Sequence, residues 1–218
     1  MKKDLTELVF ILDRSGSMSG LEDDTIGGYN SMLEKQKKEP GEAILTTVLF
    51  DNNYEILHDR INIKGVAPIT DKEYYVRGTT ALLDAIGMTI NKIVNVQKHT
   101  AKEEQAEKVM FVIITDGMEN SSREYSYTQI RKMIEHQKNN YNWEYIFLGA
   151  NIDAVETAGR FGIDKDRAVN YHADSEGTNL NYKVLNKTVS SYRESSVISE
   201  DWKDQIEEDY ENRKGKRT

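Results

Sequence analysis

The chain has 218 residues, 38% hydrophobic and 30% charged, and 29 Lys and Arg against 37 Asp and Glu leave a formal charge of −8. That length supports a sizeable core without covalent staples, and the acidity argues against a protein that grips a phosphate backbone, which needs a basic footprint. Cysteine is absent, which excludes disulfides, thiolate zinc sites, iron–sulfur clusters and a cysteine nucleophile together; His58, His99, His136 and His172 lack metal-ligand spacing, so metal chemistry here must use oxygen ligands.

Met1-Lys2-Lys3 is how many secretory signals begin, but Asp4 and Glu7 follow at once and the apolar run Leu8–Leu12 stops at Asp13, short of the roughly seven residues a signal core needs. No stretch approaches the eighteen or so apolar residues of a membrane span. The expectation is a cytoplasmic protein with neither membrane nor nucleic acid as partner.

Four short apolar runs, Leu8–Leu12, Ile44–Phe50, Val109–Ile114 and Tyr145–Leu148, suit strands buried on both faces of a parallel sheet. Helical spacing appears between them. Leu21 to Lys38 carries Ile26, Tyr29, Met32 and Leu33 before the Pro40-Gly41 break. Ala81 to Gln97 carries Leu82, Ala85, Ile86, Ile90, Ile93 and Val94, and Tyr127 to Lys138 carries Ile130, Met133 and Ile134, with Ile152 to Phe161 a shorter candidate. Strand then helix, several times over, is the pattern of a doubly wound α/β sheet. The Asx-rich turn Asp51-Asn52-Asn53 between two extended segments reads as a hairpin, hence one antiparallel edge strand. After about Asn170 the strand rhythm ends. Leu180 to Tyr192 reads as a helix, and from about Ser199 an acidic stretch followed by Arg213, Lys214, Lys216 and Arg217 reads as a solvated or frayed tail.

The chemistry lies where the strands end. The first strand runs into Asp13-Arg14-Ser15-Gly16-Ser17-Met18-Ser19-Gly20 and a later one into Ile114-Thr115-Asp116-Gly117. An acid directly after a buried strand is not explained by packing, because an unpaired carboxylate near the interior is costly. In a doubly wound sheet the strands on either side of the reversal are neighbours, and ligands sit above their C-terminal ends, so Asp13 and Asp116 face one crevice. Two carboxylates about 4 Å apart repel by about 4 kcal/mol at an effective dielectric of 20, which calls for a shared proton or an intervening cation. Ser15 and Ser17 favour the cation: with Asp13 they form a small, hard, all-oxygen half-shell suited to Mg2+ or Mn2+, and Thr79 or Thr80 in Gly78-Thr79-Thr80-Ala81-Leu82 can complete it.

Alternatives fit less well. A calcium EF-hand starting at Asp13 wants Gly where Met18 stands and Glu where Asp24 stands, and a nucleophile elbow wants Ser where Met18 stands. An aspartyl-phosphate enzyme wants an acid at position 15, and no P-loop is present. Read blandly, Asp13 is an N-cap of the next helix and the serines are turn residues, which leaves Asp116 unexplained. Glu119 reads as a surface carboxylate rather than a group behind the metal. Asp51, Asn52 and Asn53 should share the rim, and Arg14 either attracts an acidic partner or pairs with an acid such as Glu22.

Asp13-x-Ser15-x-Ser17, the threonine after Gly78 and Thr115-Asp116-Gly117 resemble, in order and spacing, the metal-ion-dependent adhesion site (MIDAS) of von Willebrand factor A domains, and the text around them is similar to bacterial and phage members. The likeness covers about residues 5–170. It implies an α/β, doubly wound (Rossmann-like), mostly parallel six-stranded sheet with one antiparallel edge strand and helices on both faces. With the C-terminal reading above, the domain spans 1–172, with a C-terminal helix packed on it over 173–200 and a charged tail over 201–218. Carried over by position, the metal ligands are Asp13, Ser15, Ser17, Thr80 and Asp116; Thr80 is preferred to Thr79 because the family's threonine usually stands two residues after glycine. The implied function is divalent-cation-dependent protein binding through a partner's Asp or Glu, with no catalytic residue. Mg2+ or Mn2+ is preferred to Ca2+, and an AAA-type ATPase or its complex is one partner by analogy. The competing readings are a Mg2+-dependent hydrolase and a structural protein whose metal only orders the loops.

Overall fold

A computed structural model describes residues 1–215. Six strands, β1 (Lys2–Asp13), β2 (Glu42–Phe50), β3 (Tyr54–Asn62), β4 (Ala106–Thr115), β5 (Glu144–Gly149) and β6 (Ala168–Asn170), form one sheet in the order β3-β2-β1-β4-β5-β6. Every pairing is parallel except β2 with β3. The helices are α1 (Glu22–Gln36), α2 (Leu82–His99), α3 (Tyr127–Tyr141), α4 (Ala154–Phe161), α5 (Ser175–Ser195) and α6 (Asp204–Arg213). This is the doubly wound sheet with one antiparallel edge that the apolar runs and the Asx-rich hairpin predict.

The continuous apolar runs arise because side chains alternate between the faces of a strand and both faces are covered. From β1, Leu8, Phe10 and Leu12 pack with Tyr29 and Leu33 of α1, Leu185 and Val189 of α5 and Ile206 of α6. Val9 and Ile11 pack on the other face with Ile86 and Ile90 of α2, Ile130 of α3 and Phe161 of α4. Each such fully buried side chain contributes about 1.5–3 kcal/mol. β1 begins earlier than its apolar run because Glu7, fully buried, is satisfied: Arg60 donates to it at 2.7 and 3.4 Å and the Gln97 amide at 2.6 Å.

The region read from sequence as a solvated tail contains a helix. Trp202 and Ile206 are buried, and the Trp202 indole donates to the Asp166 carbonyl at 2.7 Å. Arg213 bridges Asp209 of its own helix and Asp174 at the start of α5, and the Tyr210 and His172 rings stack 4.7 Å apart. Two apolar anchors in a charged stretch suffice to dock α6 beside β6 and α5. Residues 216–218, the end of the expected tail, lie outside the described residues.

The geometry that matters for function is the reversal between β1 and β4. Chain order leads from β1 outward to β2 on one side and to β4 on the other, so the C-terminal ends of β1 and β4 are adjacent. α1 and α5 meet closely on one face of the sheet at Gly28, where a Cβ would come within 2.8 Å of Tyr182 Cγ. Gly28→Ala should therefore lower stability by about 1–3 kcal/mol through overpacking, read as a lower urea midpoint at unchanged slope; an unchanged midpoint would show that α5 is loosely docked.

Candidate metal centre

Asp13 is the last residue of β1 and is buried. Its Oδ1 accepts the Ser15 amide at 2.7 Å, its Oδ2 accepts the Thr115 hydroxyl at 2.5 Å, and its carbonyl accepts the Tyr74 hydroxyl at 2.5 Å. The turn Gly16–Met18 then folds the chain back as a short 3-10 helix, which sets the Ser15 and Ser17 hydroxyls 3.0 Å apart. The Thr80 hydroxyl, at the mouth of α2, donates to Ser15 Oγ at 2.9 Å. The first helix after β1 is capped at Leu21 without a side-chain bond, so the reading of Asp13 as its N-cap fails: Asp13 organises the loop instead.

Asp116 follows β4 and is 1% exposed, yet neither of its carboxylate oxygens has a hydrogen-bond partner among the described residues. Burial pushes its carboxyl up to about 6, with the Asp13 charge adding to the rise and the nearby Ser17 hydroxyl opposing it without closing a hydrogen bond. Burial also raises the Asp13 carboxyl, against the bonds from Thr115 and Ser15. Gly117 closes the cluster. A Cβ there would lie 2.8 Å from Ser17 Oγ and 3.2 Å from Thr80 Oγ1, so glycine keeps the space among the hydroxyls open.

The structure thus brings Asp13, Ser15, Ser17, Thr80 and Asp116 to one point; Thr80 is buried whereas Thr79 is exposed. Among the described residues no three His, Cys, Asp or Glu side chains gather in a metal-holding group, so any cation here would draw on the hydroxyls beside two carboxylates. The donor set fits a small, hard divalent cation: all its atoms are oxygens, and one buried carboxylate has nothing else to bind.

The surroundings differ from expectation at two residues. Arg14 does not pair with Glu22, whose carboxylate takes the Gly20 amide at 2.6 Å. It is fully buried and donates to Asp51 at 3.1 Å, Glu55 at 2.6 Å and the Glu73 carbonyl at 3.3 Å, because the β2 end brings Asp51 beside it. Glu119 is half-buried rather than a free surface carboxylate: it accepts the amides of Leu83 at 2.9 Å, Ser121 at 2.9 Å and Ser122 at 2.8 Å, tying the loop after β4 to the N-terminus of α2. Asp51, Asn52 and Asn53 do lie at the rim, Asp51 buried and the two asparagines exposed. The histidines take no part; His58 is buried against the Thr47 hydroxyl at 3.0 Å. Sequence reasoning passed over Tyr74 and the hydroxyl of Thr115. The latter's place before Asp116 in a parallel strand neighbouring β1 was the available signal.

No protein-family profile and no curated protein matches the chain. Solved structures do. Proximal thread matrix protein 1 from the mussel byssus aligns with 85% of this chain at a TM-score of 0.58 and 12% identity, and a von Willebrand factor type A protein from Catenulispora acidiphila aligns with 85% at 0.58 and 12%. The ArnB paralog VWA2 from Sulfolobus acidocaldarius aligns with 88% at 0.51 and 19%. The chain spans 46%, 42% and 45% of those three structures. Another structure of the mussel protein has zinc in its MIDAS motif. At such identities the likeness is one of fold, and the fold is that of von Willebrand factor A domains.

A carboxyl whose proton is held more tightly in the folded chain than in the unfolded one subtracts stability as pH rises from its ordinary value near 4 through its folded value. With chelator present, the protein should therefore lose stability between about pH 4 and pH 7. Asp116→Asn should flatten that decline and melt higher than the unsubstituted chain at pH 7, while losing any rise in Tm that Mg2+ produces in the latter. Thermal melts with EDTA and with Mg2+ check both; a lower melting temperature for Asp116→Asn in EDTA would show that the carboxylate is already satisfied.

Proposed function

We propose that the chain is a divalent-cation-dependent protein-binding module in which a partner's Asp or Glu completes the coordination of a cation held by Asp13, Ser15, Ser17, Thr80 and Asp116. The observation that carries this reading is the buried Asp116 carboxylate without a partner, set beside Asp13 and three hydroxyls. Asp13, Asp116 and the neutral hydroxyls of Ser15, Ser17 and Thr80 would leave a bound Mg2+ or Mn2+ with positive character, and such an ion would supply a Lewis-acidic point for an outside carboxylate. Ca2+ suits the site less, since it asks for more ligands in a wider shell. The zinc in the MIDAS motif of the mussel protein supports a divalent ion in a fold of this kind.

The chain's own residues orient rather than react. Thr115 and the Ser15 amide hold the Asp13 carboxylate in place, Thr80 and Ser17 align with Ser15, and Tyr74 fixes the backbone beneath Asp13. Two groups nearest the site are committed elsewhere: Glu119, the candidate general base, to backbone amides and Arg14 to Asp51 and Glu55. Binding therefore fits better than hydrolysis, and we assign no catalytic residue. Among the described residues no helix is long and apolar enough to cross a membrane; we read the module as cytoplasmic, with an AAA-type ATPase complex as one class of partner.

Affinity capture from lysate of the source cells tests this. The partner set should co-purify in Mg2+, disappear with EDTA, and disappear for Asp13→Ala and Asp116→Ala proteins shown by circular dichroism to be folded. Capture that survives in both variants would overturn the binding role of the site. Metal-dependent turnover in a phosphatase and esterase screen, lost in Asp13→Ala, would replace it with hydrolysis.

A further inference from the structure

The two sides of the site differ along the sheet. Toward β2, the segment after Tyr74 is zipped onto the first loop: the Arg77 amide donates to the Arg14 carbonyl at 2.9 Å, and the Gly16 amide to the Gly78 carbonyl at 3.1 Å. Gly78 has φ +69°, and a Cβ there would collide with the Asn52 amide oxygen, so the backbone passes this point only as glycine. Arg77 is thereby held three residues before Thr80, its side chain 40% exposed. Its Nε donates to Asp51 at 2.8 Å, its Nη1 to the Tyr75 hydroxyl at 3.0 Å, and its guanidinium lies 5.2 Å from the half-exposed Tyr75 ring.

The acids on this side are already served. Asp51 Oδ1 accepts the Asn53 amide at 2.7 Å and side chain at 2.9 Å, its Oδ2 accepts Arg14 and Arg77, and Glu55 accepts Arg14. Arg77 Nη2 has no hydrogen-bond partner among the described residues. Toward β4 the rim carries Met118, 72% exposed, and the committed Glu119.

We infer that Arg77, braced by Asp51 and Tyr75, is a second anion subsite, and that the partner segment carries two acidic residues, one for the cation and one for Arg77. Arg77 sits in the loop before α2 and is tied by Asp51 to the end of β2, the strand beside β1, and neighbouring strands lie about 4.8 Å apart. In an extended segment, side chains i and i+2 share a face about 7 Å apart. Acid-x-acid is the shortest extended pattern that presents two carboxylates to one rim, with Met118 on the far side offering an apolar contact. The inference rests on the cation-dependent reading above.

Three peptides test it by NMR titration in Mg2+: acetyl-Gly-Asp-Gly-Asp-Gly-amide, and the two versions with Asn in place of either Asp. For the unsubstituted protein the two-acid peptide should bind about fivefold more tightly than either single-acid peptide, beyond the factor of about two that a choice of acids gives. Arg77→Gln should reduce that preference to about twofold, and Arg77→Lys, which keeps the charge without the fork, should retain part of it. Affinity for the single-acid peptides should fall by less than that for the two-acid peptide, because only the latter reaches Arg77 while on the cation. An equal preference in the unsubstituted and Arg77→Gln proteins, or none above twofold in either, would overturn the second subsite and leave the cation-dependent function standing. Binding of all three peptides that is indifferent to EDTA and to Asp13→Ala would overturn both.

Discussion

The structure turns on two carboxylates placed side by side under cover of the sheet, with no cation from the chain to meet them. Asp13 and Asp116 end neighbouring parallel strands, and among the described residues no Lys or Arg pairs with either. Burial opposes the charge of both, and the Asp13 charge adds to the rise for Asp116; the chain answers only in part, with the Thr115 hydroxyl, the Ser15 amide and three aligned serine and threonine hydroxyls. Structures tolerate such residual strain where it serves binding or chemistry. Here the strained atoms point to the place where the all-oxygen donors meet.

Keeping that place unneutralised requires that Arg14, the residue after Asp13, be directed elsewhere. A guanidinium about 4 Å from a carboxylate at an effective dielectric of 20 would be attracted by about 4 kcal/mol, enough to quench the site. Asp51 and Glu55 prevent this by taking the guanidinium on the β2 side. Buried ion pairs give little net stability against an apolar alternative but are costly to break from one side. The Arg14–Asp51 pair therefore makes most sense as a device that fixes where one positive charge is absent. Backbone bonds of the same two residues set the rim: the Arg14 amide donates to the Phe50 carbonyl at 2.8 Å and the Ala81 amide to the Asp51 carbonyl at 2.9 Å, so the loops around the site are laced together and arrive preorganised.

What could be read in the sequence follows from how local each signal is. The two acids were legible because a charged residue directly after an uninterrupted apolar strand contradicts the burial that the strand announces. Ser15 and Ser17 were legible because one short turn decides where alternate residues point. The partner of Arg14 was not, since the competition between Glu22, nearby in sequence, and Asp51, on the next strand, is settled only by the β1–β2 register, which sets Asp13 opposite Phe50. Three-residue β6 carries too few apolar side chains to stand out, and its pairing with β5 comes from the sheet edge it meets. The helix over Asp204–Arg213 was masked by its charge, because two apolar anchors and the Arg213 bridges decide its docking.

The overall charge of −8 and an acidic partner are compatible once distance is taken into account. At physiological ionic strength charges farther apart than about 8 Å are largely screened, so the acidic surface at large acts mainly on the rate of encounter. Affinity is set within a few ångströms of the contact, where a bound divalent cation would offset Asp13 and Asp116, Asp51 and Glu55 beyond the rim are already paired with arginine, and one guanidinium edge faces outward. A protein that repels acidic molecules in general can then hold one that presents its carboxylates at the right spacing. In the proposed binding mode general repulsion would become part of the selectivity, since a weakly matched acidic surface would meet the unfavourable field without the compensating contacts.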